Sequence, residues 1–191
     1  MPGKVGPLVD QLLRRSRDPE GFATTIDQFH TLLTHAQRYV ALSTNALASR
    51  HTYTLIKRRI VYDIGELGAD IGRVLSINVD GRDLIRTPWR ALTRQDRLWL
   101  RKTDAVPTTW AQLGRNTLVI YPGVTQAIPV EIVYVPVTKV IDHQNNDLEL
   151  AVDHHNVLLD FTEGLNMIRR REFGQASIAF ARTGLNLDGQ G

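Results

Sequence analysis

Residues 80–136 read DGRDLIRTPWRALTRQDRLWLRKTDAVPTTWAQLGRNTLVIYPGVTQAIPVEIVYVP and contain all three tryptophans, Trp89, Trp99 and Trp110. Asp80-Gly81 is a two-residue turn that joins a strand over 73–79 to a partner over 83–86, because both positions tolerate the positive φ a tight hairpin requires. Thr93 with Asp96 has the spacing of a capping box for a short helix through Leu98 and Trp99, which Pro107 breaks. Residues 116–121 and 130–135 are rich in β-branched and aromatic side chains. Bounded by Pro122-Gly123 and Pro129, they are expected to form an antiparallel pair. The stretch is therefore a compact β platform with no evident catalytic constellation.

Upstream, the period is helical. Pro7 suits the first turn of an amphipathic helix with Leu8, Val9, Leu12 and Leu13 on one face and Arg14, Arg15 and Arg17 at its end. Asp18-Pro19 is the expected start of a second helix, in which Phe22, Ile26, Phe29, Leu33, Ala36 and Val40 recur at spacings of 4, 3, 4, 3 and 4. Its opposite face carries Gln28, His30, His35 and Arg38. From about Thr52 the period falls to two, with Tyr53 and Leu55, then Ile60, Tyr62 and Ile64, alternating with polar neighbours.

Downstream, residues 142–147 are polar and turn-like. Asp153 is the expected cap of a helix with Leu158, Phe161, Leu165 and Ile168 on one face. A last helical run over 175–186 carries Ile178, Ala179 and Phe180, followed by a polar, glycine-rich tail. The fold class expected is α+β: N- and C-terminal helices forming a bundle, with a central antiparallel β-sandwich-like part. The expected divisions are N-terminal helices over 1–49, a β-rich part over 50–141, and C-terminal helices plus tail over 142–191.

Composition narrows the chemistry. The 191 residues include no cysteine, which rules out disulfides, zinc-thiolate sites and thiol nucleophiles. Twenty-three Lys and Arg against 20 Asp and Glu leave a net charge of +3, too mild to establish nucleic-acid binding. No apolar run approaches the roughly 18 residues of a membrane span, and the N-terminus lacks a signal-peptide core. A soluble protein, made and used without secretion, is expected.

The candidate motifs favour structural roles. Gly65, Gly68 and Gly72 in GELGADIG lead into another strand, so no helix N-terminus is presented to a phosphate and a loop between strands is expected. Asp153, His154 and His155, with Asp142 and His143 nearby, lack the i, i+4 pairing that helical metal sites use. No serine sits in a nucleophile elbow. Arg169, Arg170 and Arg171 fan through about 200° of a helix, so at least one borders the packed side. Two binding alternatives stay open: a carbohydrate- or ligand-binding module using Trp89, Trp99 and Trp110, and a DNA-binding accessory factor using Arg14, Arg15, Arg17 and Arg169 to Arg171.

The order of landmarks carries more than any one of them. Gly81-Arg82-Asp83-Leu84, Pro88-Trp89-Arg90-Ala91-Leu92, Asp96-Arg97-Leu98-Trp99 and Pro107-Thr108-Thr109-Trp110 are followed by residues 118–122 and Val133-Tyr134-Val135-Pro136. This order resembles the head-to-tail adaptor (connector) proteins of tailed bacteriophages over about residues 50–185 of the chain. Two local departures are Asp63-Ile64-Gly65, which lacks the usual proline, and Gly123 in place of a second proline after Tyr121-Pro122.

The resemblance implies a structural, non-enzymatic protein of the virion neck, made in the host cytoplasm, with no cofactor or metal and no membrane partner. It implies a ring, usually dodecameric, beneath the portal. Such a ring extends the channel through which DNA passes unread and is ejected, and it provides attachment for tail or nozzle proteins. On that basis Arg169, Arg170, Arg171, Leu185, Asn186 and Leu187 are expected at a partner interface. Trp89, Trp99, Trp110 and Tyr134 are expected as core or subunit-contact anchors.

Overall fold

The structure, a computed structural model, describes residues 2–17, 21, 23–68, 70–95 and 98–185. In chain order it comprises β1 (Pro2–Lys4), α1 (Val5–Arg15), α2 (Ile26–Thr44), β2 (Ser49–Leu55), β3 (Val61–Asp63), β4 (Ile71–Val79), β5 (Arg82–Asp83) and β6 (Ile85–Arg86). There follow α3 (Trp89–Gln95), β7 (Thr103–Asp104), β8 (Thr109–Leu113), β9 (Thr117–Tyr121), β10 (Gly123–Val124), β11 (Ile128–Pro136), β12 (Asp147–Ala151), α4 (His155–Arg169) and α5 (Phe173–Arg182). The fold is mixed α+β, with helices at both ends of the chain and a sheet part between them. It divides into two compact units, residues 1–47 with 138–191, and residues 48–137.

In the helical unit, α1 buries Val5, Leu8, Val9 and Leu12, and Arg14 and Arg15 occupy its last turn, where cations complement the helix dipole. The Val5 and Gly6 amides, orphans of the first turn, donate to the carbonyls of Asn146 and Gln144. The polar turn over 142–147 thus satisfies a helix end. It leads into β12, which pairs antiparallel with β1, a ribbon that a Pro-Gly-Lys strand gives no periodic cue for.

Helix α2 starts later than expected. Thr25 and Gln28 form a reciprocal capping box, each side chain bonding the other's backbone amide. Asp18, Pro19 and Phe22 lie outside the described residues. Phe29, Leu33, Ala36 and Val40 are buried as the period requires, but so is His30, expected on the polar face. The α2 side chains Thr34 and Gln37 accept hydrogen bonds from the Ile141 and Glu149 amides, fastening the helix beside β12.

Asp153 does not cap α4. Residues Val152–His154 form a 3-10 turn instead, and His154 precedes the helix without a side-chain cap. Leu158 and Phe161 are buried but Ile168 is exposed; further along α4, Gly164 faces the Phe180 ring of α5, and Asn166, on a different side, accepts from the Thr24 hydroxyl. Helix α5 ends at Arg182, short of the expected limit at 186. The Thr183 hydroxyl donates to the Phe180 carbonyl, and Gly184 takes a left-handed φ of 63° that stops the helix. Three rings link the helices: Tyr39 stacks on Phe161 at 4.5 Å, and Phe161 meets Phe180 at 5.1 Å.

The β unit has two four-stranded sheets, ordered β2-β11-β4-β5 and β3-β9-β8-β6. Leu55, Val74, Ile77, Val130 and Ile132 from the first share one core with Tyr62, Trp110, Leu118 and Ile120 from the second, which makes a sandwich. The Asp80-Gly81 turn is present, with φ of 49° and 79°, and joins β4 to β5. The expected hairpin through Arg86 stops there. At buried Leu84 the chain crosses to the other sheet, where β6 runs parallel to β8.

Residues 116–121 and 130–135 are not partners. Strand β9 pairs with β3 and β8, whereas β11 pairs with β2 and β4. The physical reason is burial on both faces: Leu118 and Ile120 enter the sandwich core, while Val119 and Ala111 face a second cluster with Ile60, Leu92 and Trp99. Central strands of this kind lack a solvent face to set a two-residue alternation. The second cluster is covered by α3 and by a 3-10 turn at Trp99–Arg101. The Thr93 hydroxyl donates to the Arg90 carbonyl inside α3 rather than capping a helix, and Asp96 is outside the described residues.

Candidate functional site

The tryptophans were candidates for a stacking site, which needs at least two of them on one open surface. Trp110 is 1% exposed and Trp99 7%. Trp110 fills the sandwich core, and the Arg86 guanidinium lies 5.6 Å from its ring centroid. Trp99 meets the half-buried Trp89 edge to face, with centroids 4.7 Å apart. No sugar can reach the indole faces that such packing covers, so a tryptophan-based ligand module is overturned. Tyr134, half-buried on β11, packs against the sandwich core.

Of the glycines of GELGADIG, Gly65 and Gly68 belong to a turn between strands. The Asp63 carboxylate accepts from the Gly65 amide at the head of a 3-10 turn at Ile64–Leu67, and Gly68 closes that turn with φ of 77°. Gly72 lies inside β4, where an added Cβ would come within 3.0 Å of the Val135 carbonyl oxygen. Chain approach, not a phosphate, accounts for it.

The histidines near β12 also hold structure. The His155 ring lies against Gly3 in β1, where a Cβ would meet its Cε1 at 2.2 Å. Burial pushes the His155 imidazole below its usual pKa, partly offset by a hydrogen bond to the Leu150 backbone, with His154 adding to the lowering. The His143 Nδ1 accepts from the Asn145 amide, and Asp142 accepts from the Asn146 side chain. Among the described residues no three His, Cys, Asp or Glu side chains are placed to hold a metal ion. Tyr62 is a buried fastener: its hydroxyl donates to the Arg59 carbonyl and accepts from the Ile56 amide, and burial raises its pKa.

The basic cluster separates into distinct roles. Arg169 donates to the Ala23 carbonyl and the Thr24 hydroxyl, each at 2.8 Å, and Thr24 in turn donates to Asn166. It thus ties the segment before α2 onto α4. Arg170 pairs with Glu172 at 3.0 Å. Arg171, at φ of 63°, is exposed and makes no ion pair among the described residues. At the end of α1, Arg15 is paired with Asp160 at 2.6 Å and Glu163 at 3.5 Å. Several of these charges are compensated internally, so they make no continuous basic stripe for a DNA backbone. Leu185 is half-buried, and Asn186 and Leu187 lie outside the described residues.

Large apolar side chains are left in water in both units. Phe173, Ile178 and Ile168 are exposed on the α4 and α5 hairpin; Ile85, Leu98, Leu100 and Val106 are exposed in the β unit. Of these, helical spacing counts Ile168 as inward-facing, and the fold leaves it in water. Exposed apolar side chains mark a protein-contact surface only where they form a contiguous patch.

A family model described as the SU10 adaptor protein matches residues 4–181. The chain belongs to the SU10 adaptor protein family. No curated protein matches it. The match takes in both units, including the N-terminal helices, and makes this SU10 adaptor family member a phage structural adaptor. Among the described residues no helix is long and apolar enough to cross a membrane.

Proposed function

We propose that the protein is a ring-forming subunit of the virion neck, which docks beneath the portal, extends the DNA channel and offers an attachment surface to tail proteins. The observation that carries this reading is the family match over residues 4–181. The physics supports it. Identical subunits packed head to tail around an axis need two different faces, and the exposed apolar side chains of each unit supply surface that a lone subunit leaves in water. A dodecamer would match the ring order usual in adaptors of this kind. Trp89, Trp99, Trp110 and Tyr134 would then act by shaping the β unit, and DNA would pass without sequence-specific contacts.

Two separate stretches are proposed to face the portal: the C-terminal end of α4 with Arg169, Arg170 and Arg171, and Leu185 beyond α5, continued in sequence by Asn186 and Leu187. The sequence over 186–191 is polar and glycine-rich, with few side chains suited to a core. Sedimentation with portal rings from the same phage tests both parts. The full chain should co-migrate with the portal, and a chain truncated before Leu185 should remain at the top of the gradient. A full chain that never co-migrates contradicts the docking role, and a truncated chain that still does contradicts the assignment of the tail.

A further inference from the structure

We infer that a cleft between α4 and α5 in the helical unit binds an acidic peptide segment bearing an apolar side chain, supplied by a partner protein. The cleft has a volume of about 560 Å³. Helix α4 presents Glu163 and Met167 to it, four residues apart, with Arg170 at the C-cap three residues on, and α5 presents Gln175, Ile178 and Arg182, spaced by three and four. Each set is one face of its helix. Arg17, just beyond α1, closes the rim.

Its charges are unevenly compensated. Four guanidinium groups, of Arg15, Arg17, Arg170 and Arg182, line it with only two carboxylates, of Glu163 and Glu172. Arg15 is committed to Asp160 and Glu163, and the Nε of Arg170 to Glu172. Arg17 and Arg182 make no ion pair among the described residues. Beside these two cations sits Ile178, 58% exposed. Guanidinium is a planar fork that takes a carboxylate by two hydrogen bonds, and an exposed isoleucine beside it gains from covering by an apolar side chain.

Both features together select a peptide over the other anions. A bare phosphate leaves Ile178 uncovered. A nucleic-acid backbone presents a row of phosphates that needs a continuous basic track, and here Glu163 and Glu172 face it. Helix dipoles explain why cations stand at helix C-termini such as that of Arg182, but not why a large apolar side chain stays open between them. The cleft shares Arg170 with the proposed portal-facing surface, but the peptide test is read without a portal, so its failure and the failure of portal docking are distinguishable.

The test is fluorescence anisotropy with the full chain and a short fluorescein-labelled peptide alternating glutamate and leucine. The expected result is saturable binding that weakens with salt. A glutamine-leucine peptide and a labelled DNA duplex of similar charge should bind at least about tenfold more weakly, the loss expected when a charge-assisted hydrogen bond is removed. Combined Arg17→Gln and Arg182→Gln substitutions should lower affinity for the glutamate-leucine peptide by a similar factor, and Ile178→Ser should lower it severalfold. Combined Arg17→Glu and Arg182→Glu should gain affinity for a lysine-leucine peptide, a gain that misfolding cannot produce. Absence of binding to the glutamate-leucine peptide, equal binding of the duplex, or affinities unmoved by these substitutions would overturn the inference.

Discussion

Gly164 of α4 leaves the space that the Phe180 ring of α5 fills: a Cβ built on Gly164 would lie 2.7 Å from Phe180 Cε1 and 2.9 Å from its Cδ1 and Cζ. A glycine inside a helix ordinarily costs about 1 kcal/mol relative to alanine, so its presence needs a packing reason. The ring provides one, and Phe180 in turn touches Phe161.

Gly164→Ala should therefore destabilise the helical unit by about 1–3 kcal/mol, the range for overpacking, although alanine is the better helix former. Urea unfolding followed by far-UV circular dichroism measures it. Adding Phe180→Leu to Gly164→Ala should recover part of the loss, since the smaller side chain vacates the clash. A more stable Gly164→Ala single variant would show that α5 is not held at this distance.

The tryptophans should rank by burial. Trp110→Ala should cost about 3–5 kcal/mol, as for other large buried aromatics, because it empties the centre of the sandwich. Trp89 is half-buried, and removing it forfeits chiefly an edge-to-face pair with Trp99 worth about 0.5–1.5 kcal/mol beyond the area it covers. Equal losses for the two variants in guanidinium unfolding would contradict the assignment of Trp110 to the core.

Helix periodicity is legible in α1 and α2 because each packs on one side, so the spacing of Phe29, Leu33, Ala36 and Val40 appears directly as burial. The hairpin turn at Asp80-Gly81 is legible for a local reason too, the positive φ at both positions. Strand pairing is not local. The exchange between sheets at Leu84, and the placing of β9 beside β8 instead of β11, follow from filling two apolar clusters on either side of one sheet. Nothing in TLVIY alone distinguishes a strand buried on both faces from one with a hidden partner further along. At the candidate interface, Arg169, Arg170 and Arg171 read as one basic run, and only the fold reveals that Arg169 is spent on Ala23 and Thr24.

That tie predicts unequal roles for neighbouring arginines. Arg169→Ala removes two hydrogen bonds, one to a buried hydroxyl, and should lower stability by about 1–3 kcal/mol. Arg171→Ala should stay within about 0.5 kcal/mol of the parent, as exposed surface substitutions do. Thermal melts of the two variants compare them, and a larger loss for Arg171→Ala would sink the distinction.

Acid should loosen the helical unit through His155. Its folded-state pKa is depressed, chiefly by burial, so the neutral ring is favoured in the native state. Stability is full above the ordinary histidine value of about 6.5 and falls as pH drops toward the lower folded value, because the unfolded chain takes up the proton first. His155→Gln cannot titrate and keeps a donor for the Leu150 carbonyl. Its melting temperature should fall less than the parent's between neutral and mildly acidic buffer; identical slopes would exclude His155 as the cause.

The central claim is that these subunits close into a ring on a portal, and electron microscopy of the purified protein mixed with portal rings of the same phage tests it most directly. The account predicts class averages with a collar of added density on one face of the portal, repeating around the axis with the adaptor subunits side by side. A protein that remains monomeric in those images, with the portal rings bare, would contradict it.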